Sequence, residues 1–235
     1  MILGFVSDAH GNPEGLEGCL RALEREGATR LHFLGDAVGY LPEENAVLDL
    51  LRTSGAVCIR GNHEAMLLGE IPVRESRGRA YRLEEAAGRL KPEHRAWIEE
   101  WPARLELELE GVRLLLVHGS PADPLEGYVY PDTDLAPYRE LPLDVAVMGH
   151  THRPFIATTG ALTVVNPGSS GMPRDVGNLA SCATYDTATR AAEILRIPFD
   201  AHGLIARWGD RIDASAAACL ERRATGPVLG RVLAG

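Results

Sequence analysis

Residues 1–40 read MILGFVSDAHGNPEGLEGCLRALEREGATRLHFLGDAVGY. Two apolar runs, at 1–7 and 30–35, close on Asp8 and Asp36, and a helical pattern at 13–26 lies between them. Continuous apolar runs of this length indicate buried strands. Strand–helix–strand alternation implies parallel strands joined by a right-handed crossover. The pattern continues with a helix at 43–54, whose Val47, Leu48, Leu50 and Leu51 form an apolar stripe ending at Gly55. A third run at 56–60 closes on Gly61-Asn62, and three more at 112–117, 143–148 and 161–165 close on His118, Gly149-His150 and Asn166.

The intervening segments read differently. Residues 62–103 are expected to be mostly helical, with breaks at Pro72 and Pro92. RLELELEG (104–111) alternates strictly, which predicts a half-buried strand turning at Glu110-Gly111 into the next as a hairpin. Residues 119–142 read as a loop, and 179–199 as two strands. One helix is expected over 202–223, with Ile205, Trp208, Ile212 and Leu220 near one side. The organisation expected is a domain over 1–200 with a C-terminal helical appendage, 201–235, packed on it.

Composition narrows the class. The 235 residues are 45% hydrophobic, and 24 Lys+Arg against 33 Asp+Glu give a net charge of −9. That is an ordinary globular balance, and it argues against a surface made for extended nucleic acid or anionic lipid. The four cysteines, Cys19, Cys58, Cys182 and Cys219, are far apart and form no C-x-x-C pair, which fits a reducing cytoplasm better than a disulfide framework. The N-terminus lacks a basic leader, and no apolar stretch approaches the ~20 residues that span a bilayer. A cytoplasmic location is therefore expected, and a homo-oligomer is left open.

The polar residues fall where the strands end. In a parallel sheet the carboxyl ends of strands share one edge, which would gather Asp8, Asp36, Asn62, His118, His150 and Asn166. His10 and His152 lie two residues beyond Asp8 and His150. Oxygen and imidazole donors without thiolate suit Mn, Fe, Zn or Co. Each piece has a plainer reading: Asn62 as a helix N-cap, or His118 as a core histidine bonded to backbone. Only a shared site explains all of them together.

SDAHGN (7–12), GDAVGY (35–40), GNHE (61–64), VHGSP (117–121) and GHTH (149–152) occur in this order, and NPGSSGMPR follows at 166–174. In these blocks the chain resembles the calcineurin-like metallophosphoesterases, and in the last segment the small bacterial phosphoesterases among them. The resemblance covers roughly residues 1–200 and implies an α/β fold, a four-layer α/β/β/α sandwich with two β-sheets flanked by helices. It implies that Asp8, His10 and His152 hold one divalent ion, that Asn62, His118 and His150 hold another, and that Asp36 bridges them. Two such ions would lower the pKa of a bridging water and clamp a transferring phosphoryl group. Against Asp8 and Asp36 they would leave the site positive inside an acidic protein.

By the same resemblance His63 is the general acid, and the substrate is a small phosphomonoester or phosphodiester. Glu64 is expected to orient a ligand, Arg60 and Arg153 to meet substrate or form surface ion pairs, and Asn166 and Ser169 to steady the site. His32 is expected to pack, and His94 and His202 to be solvated. Where the phosphoprotein phosphatase and dinucleoside polyphosphate hydrolase branch has Asp-Arg-Gly, this chain has Gly39-Tyr40-Leu41, which weakens those alternatives. A non-catalytic scaffold on the same fold is the remaining one. Substrate choice is expected to lie in 119–142, read as a lid, where Tyr128, Tyr130 and Tyr138 either stack on a ligand or pack the loop.

Overall fold

A computed structural model describes residues 1–233. The chain runs β1 (Ile2–Val6), α1 (Pro13–Arg25), β2 (Arg30–Phe33), α2 (Glu44–Ser54) and β3 (Val57–Cys58). Four short helices follow: α3 (Asn62–Leu67), α4 (Glu75–Tyr81), α5 (Leu83–Arg89) and α6 (Pro92–Glu99). Next come β4 (Arg104–Leu109), β5 (Val112–Val117), β6 (Val145–Met148), β7 (Phe155–Thr159) and β8 (Leu162–Asn166). The chain ends with β9 (Leu179–Asp186), β10 (Ala192–Pro198), α7 (Ala201–Trp208), α8 (Ala214–Leu220) and β11 (Arg231–Val232).

Two sheets form, in the orders β11-β10-β9-β1-β2-β3 and β4-β5-β6-β8-β7. The single shared sheet edge expected from the alternation is thus corrected. β1, β2 and β3 pair in parallel in one sheet, and β5, β6 and β8 pair in parallel in the other. Local pattern specifies parallel crossovers, but not which strands share a sheet. The sandwich of two sheets flanked by helices is as the family resemblance implied.

Period-two alternation builds the layers. Leu3 and Phe5 of β1 face Leu114 and Leu116 of β5 in the core between the sheets. Val6 points the other way, into a core shared with Leu16 and Leu23 of α1 and Val47, Leu48 and Leu51 of α2. Leu115 and Val117 of β5 face outward and are covered by Val129, Leu135, Tyr138 and Leu143 of the long loop, whose one helical turn is the 3-10 segment Ala136–Tyr138. Burial on both faces explains why these strands read as largely apolar runs.

Several expectations are revised. β3 has two residues where a longer run was expected, and β7 was not anticipated. As an edge strand, β7 buries only Phe155 and Thr159, so its sequence carries little pattern. The helix expected over 202–223 is two helices, α7 and α8, interrupted by a 3-10 turn at Gly209–Arg211. Gly209 supplies the break, with a φ of 46°. Pro92 starts α6 rather than breaking a helix, consistent with its missing N–H at a first helical position. Together α7 and α8 bury Leu204, Ile212, Ala216 and Leu220 against Tyr40, Leu41 and Met172.

His94, expected in solvent, is buried. Its Nδ1 lies 2.9 Å from Asn45 Oδ1, and its Nε2 lies 2.9 Å from Asp49 Oδ1. His202 is exposed, as expected. His32 packs, stacked on Phe5 at a centroid distance of 5.3 Å. Burial pushes its imidazole down to about 4. Below about pH 6.5 the unfolded chain takes up a proton that folded His32 refuses, so stability falls as pH falls through this window. His32→Leu should remove up to about 2 kcal/mol of the acid sensitivity between about pH 8 and pH 5, read from urea midpoints. An unchanged pH slope would sink this account.

Candidate metal centre

The loops after β1 and β2 are laced together: His10 N–H donates to Asp36 O at 2.9 Å, and Gly11 N–H to Ala37 O at 2.9 Å. The turn after β3 packs against them so closely that a Cβ on Gly61 would lie 2.2 Å from Asp36 Oδ1. From the second sheet, the turn after β6 brings Gly149 to where a Cβ would lie 2.3 Å from Ser7 Oγ. Gly149 N–H also donates to His118 O at 2.8 Å, which ties in the end of β5, so five loops from two sheets converge in the cleft at the strand ends.

All seven proposed ligands meet there, and all are buried. Donor atoms of Asp8, His10 and His152 lie within 4.8 Å of one another, as do those of Asp36, His118 and His150. His118 Nε2 also approaches Asn62 Oδ1 at 3.0 Å and Asp36 Oδ2 at 3.3 Å. Asp36 Oδ2 stands 3.5 Å from His10 Nε2, which puts this carboxylate between the two groups. His63, with its Nε2 3.9 Å from Asp36 Oδ2, forms a third such group with His10 and Asp36.

The donor set fits divalent ions. His10 Nε2 and His152 Nε2 face each other at 3.1 Å, while Asp8 Oδ1 and His150 Nε2 are buried without a hydrogen-bond partner. The opposite ring nitrogens are fixed from behind: His10 Nδ1 by Val38 O at 3.1 Å, His118 Nδ1 by Leu34 O at 2.7 Å, and His152 Nδ1 by Met172 O at 2.6 Å. Backbone carbonyls at these nitrogens select the tautomer that leaves Nε2 free to ligate.

Burial dominates the electrostatics. It pushes Asp8 up to about 7, with Asp36 adding to the rise, and drives His10, His150 and His152 down toward the neutral, ligating form. Burial also opposes charge on His118, but the Asp36 carboxylate and then Asp8 outweigh it and lift the imidazole to about 10. Burial would raise Asp36 as well, yet His118 and His63 hold it well below the usual carboxylate range. Two carboxylates out of water thus demand positive charge, which a divalent ion would supply.

Five of the proposed ligand positions are strained. Asp8, His10, Asp36, His150 and His152 have φ of 54°, 46°, 61°, 65° and 57°, in the left-handed region that favours glycine. The loops hold them there against that cost.

The supporting residues divide clearly. Glu64 is fully buried and accepts from four backbone N–H groups: Asp36 and Ala37 at 2.7 Å, Gly61 at 2.9 Å and Val38 at 3.2 Å. It is a clasp between two loops, a role that spacing alone did not reveal. Asn166 Nδ2 donates to Gly149 O at 2.8 Å and Thr151 Oγ1 at 3.0 Å, and Ser169 Oγ donates to Asp8 O at 2.6 Å. Arg60 forms an ion pair with Glu70 at 2.6 Å, away from the donors, and Arg153 is exposed. Tyr128 and Tyr130 stack on each other at 5.8 Å, 45% and 36% exposed, with Tyr128 4.2 Å from the His150 ring, while Tyr138 packs the loop down.

Sequence reasoning missed Tyr40, Tyr81 and Arg174. The first two pack against His63 at centroid distances of 5.2 Å and 4.4 Å. Arg174 closes the quoted NPGSSGMPR segment and was not singled out within it.

Comparison with known proteins gives a consistent picture. The family model described as calcineurin-like phosphoesterase superfamily domain matches residues 1–190. Phosphodiesterase YfcE of Escherichia coli is 30% identical over 189 residues, covering 79% of this chain and 88% of its own. An uncharacterized protein of Methanocaldococcus jannaschii is 28% identical over 218 residues, covering 85% of this chain and 88% of its own. A solved metallophosphoesterase from Sphaerobacter thermophilus shares the fold, with a TM-score of 0.79 at 24% identity over 94% of this chain and 98% of that one. The relatives include archaeal and bacterial proteins, so the narrower bacterial branch is not singled out.

Proposed function

Because the chain belongs to the calcineurin-like phosphoesterase superfamily, we propose that it hydrolyses small phosphodiesters or phosphomonoesters at a dinuclear metal centre. Asp8, His10 and His152 would hold one ion, Asn62, His118 and His150 the other, and Asp36 would be shared. The observation that carries this reading is the convergence of two buried donor groups with Asp36 Oδ2 between them. Divalent ions bound there lower the pKa of water and offset the charge of the phosphoryl oxygens. Nitrogen and oxygen donors without thiolate favour Mn, Fe, Zn or Co.

The remaining steps belong to side chains. His63 sits beside Asp36, and its role is to hold the phosphoryl group and give a proton to the leaving oxygen. Burial lowers its imidazole while Asp36 opposes that, and an anionic substrate adds to the opposition. Tyr128 and Tyr130 form an exposed aromatic wall at the mouth, against which the leaving group rests. The name of the Escherichia coli relative supports diesters, and the presence of His63 keeps monoesters within reach.

Dialysis against a chelator is expected to abolish hydrolysis of bis-(p-nitrophenyl) phosphate, and added Mn, Fe, Zn or Co to restore it. Losing ions held at a thousandfold excess over Kd should remove about 4 kcal/mol per site, lowering Tm by about 10 °C for each. Metal analysis should return two equivalents in the active protein. Full turnover after complete metal removal would overturn the proposal.

A further inference from the structure

Beside the metal centre, behind Tyr40, lies a second cavity of about 250 Å3. Its lining includes Tyr40, Arg77, Met172, Arg174, Cys219 and Arg222 and contains no acidic side chain. Three arginines therefore line one space in a protein of net charge −9.

None of the three makes an ion pair among the described residues, whereas arginines nearby do. Arg74 pairs with Glu126 at 3.6 Å, and Arg82 and Arg207 pair with Glu85 and Glu14. The carboxylate next to Arg174 in sequence, Asp175, is taken by Arg196, with Nη2 to Oδ1 at 3.0 Å. Arg222 donates to the Arg174 carbonyl, which ties the segment after α8 to this wall. Arg174 is half-buried while Arg77 and Arg222 are exposed, and a half-buried cation without a counter-charge is costly unless an anion joins it.

The cavity and the metal centre share a wall. Tyr40 meets the His10 ring edge-on at 4.8 Å and stacks on His63 at 5.2 Å. On the cavity side, Arg174 Nη2 reaches the Tyr40 hydroxyl at 3.5 Å. The Arg174 N–H donates to His152 O at 3.2 Å, and Met172 O accepts from the His152 ring at 2.6 Å. The charge of Arg174 is close enough to help lower His150 and His152.

We infer that Arg77, Arg174 and Arg222 form an anion subsite beside Tyr40, next to the metal centre, for a second phosphoryl group of the substrate. Planar, fixed-charge guanidiniums match phosphoryl oxygens in geometry and sign. The substrate class follows: esters bearing a further phosphoryl group a few bonds from the scissile one, such as polyphosphate chains or bisphosphorylated small molecules. The inference rests on the phosphoesterase reading, and it gives the C-terminal helices a function, since Cys219 and Arg222 belong to that segment.

Calorimetry on the metal-loaded protein tests it with two non-hydrolysable probes, propylene bisphosphonate and propylphosphonate. The wild type is expected to bind the bisphosphonate at least about 10-fold more tightly. Arg77→Gln with Arg222→Gln should erase that advantage, as expected when charge-assisted contacts to one phosphoryl group are lost. Both side chains are exposed, so the variant should fold, with an unchanged Tm as the control. On turnover, the same variant should raise KM for an ester carrying a second phosphoryl group with little change in kcat. No advantage in the wild type, or an advantage that survives in the variant, would overturn the subsite. If no ester is hydrolysed yet the advantage exists and vanishes in the variant, the phosphoesterase reading fails while the subsite stands.

Discussion

His63→Ala is expected to lower turnover about a hundred- to ten-thousandfold while metal content stays near wild type. His63 is buried, and its Nε2 lies 3.9 Å from Asp36 Oδ2, close to the shared carboxylate. Its ring packs against both Tyr40 and Tyr81, which also touch each other, and a Cβ on Gly39 would come within 2.4 Å of its Nδ1. So tightly set a ring loses little entropy when it meets a transition state. His63 also groups with His10 and Asp36 closely enough to ligate, so metal analysis must accompany kinetics. If alanine removes metal and turnover per bound metal is unchanged, His63 is a ligand and the assigned role is wrong. His63→Gln, which keeps a donor but cannot transfer a proton, should recover substrate binding without recovering kcat.

Glu64→Ala is expected to be the most destabilising single change at the centre. It would leave the N–H groups of Asp36, Ala37, Val38 and Gly61 without their acceptor in a dry interior. At ~1–3 kcal/mol for each orphaned donor, the sum is comparable with the ~5–15 kcal/mol that holds a domain together. The variant should aggregate on expression or melt more than about 10 °C lower, and lose metal, because the loops it clasps carry Asp36 and Asn62. Glu64→Gln retains one acceptor oxygen and sets an amide donor against two N–H groups, so it should fall between. Burial pushes the Glu64 carboxyl up to about 7, which makes the neutral amide a fair test of shape against charge. A Glu64→Ala protein with wild-type Tm and metal content would refute the clasp.

The sequence was most legible where both faces of a strand are buried. β1, β5 and β6 are largely apolar runs because helices or loops cover one side and the other sheet covers the second. β7 escaped because an edge strand with Phe155 and Thr159 inward needs no apolar pattern elsewhere. The division into two sheets could not be read locally, since it depends on β1 pairing with β9 across the chain. The candidate ligands stood out because each follows a strand in a turn. His94 was misjudged because its partners, Asn45 and Asp49, lie on a separate helix. Glu64 and Arg174 were undervalued for a related reason: a clasp or a charged wall is defined by what folding brings opposite it.

The left-handed backbone at Asp8, His10, Asp36, His150 and His152 bears on how such a protein would change over generations. Glycine would adopt each of those conformations freely, and at these positions it would also remove a buried imidazole or carboxylate. The relief of backbone strain at such a change is opposed by the cavity it leaves and by the loss of the ions that would otherwise bind and stabilise the fold. Metal therefore ties persistence to hydrolysis: a lineage released from catalysis would still lose stability with its first lost ligand.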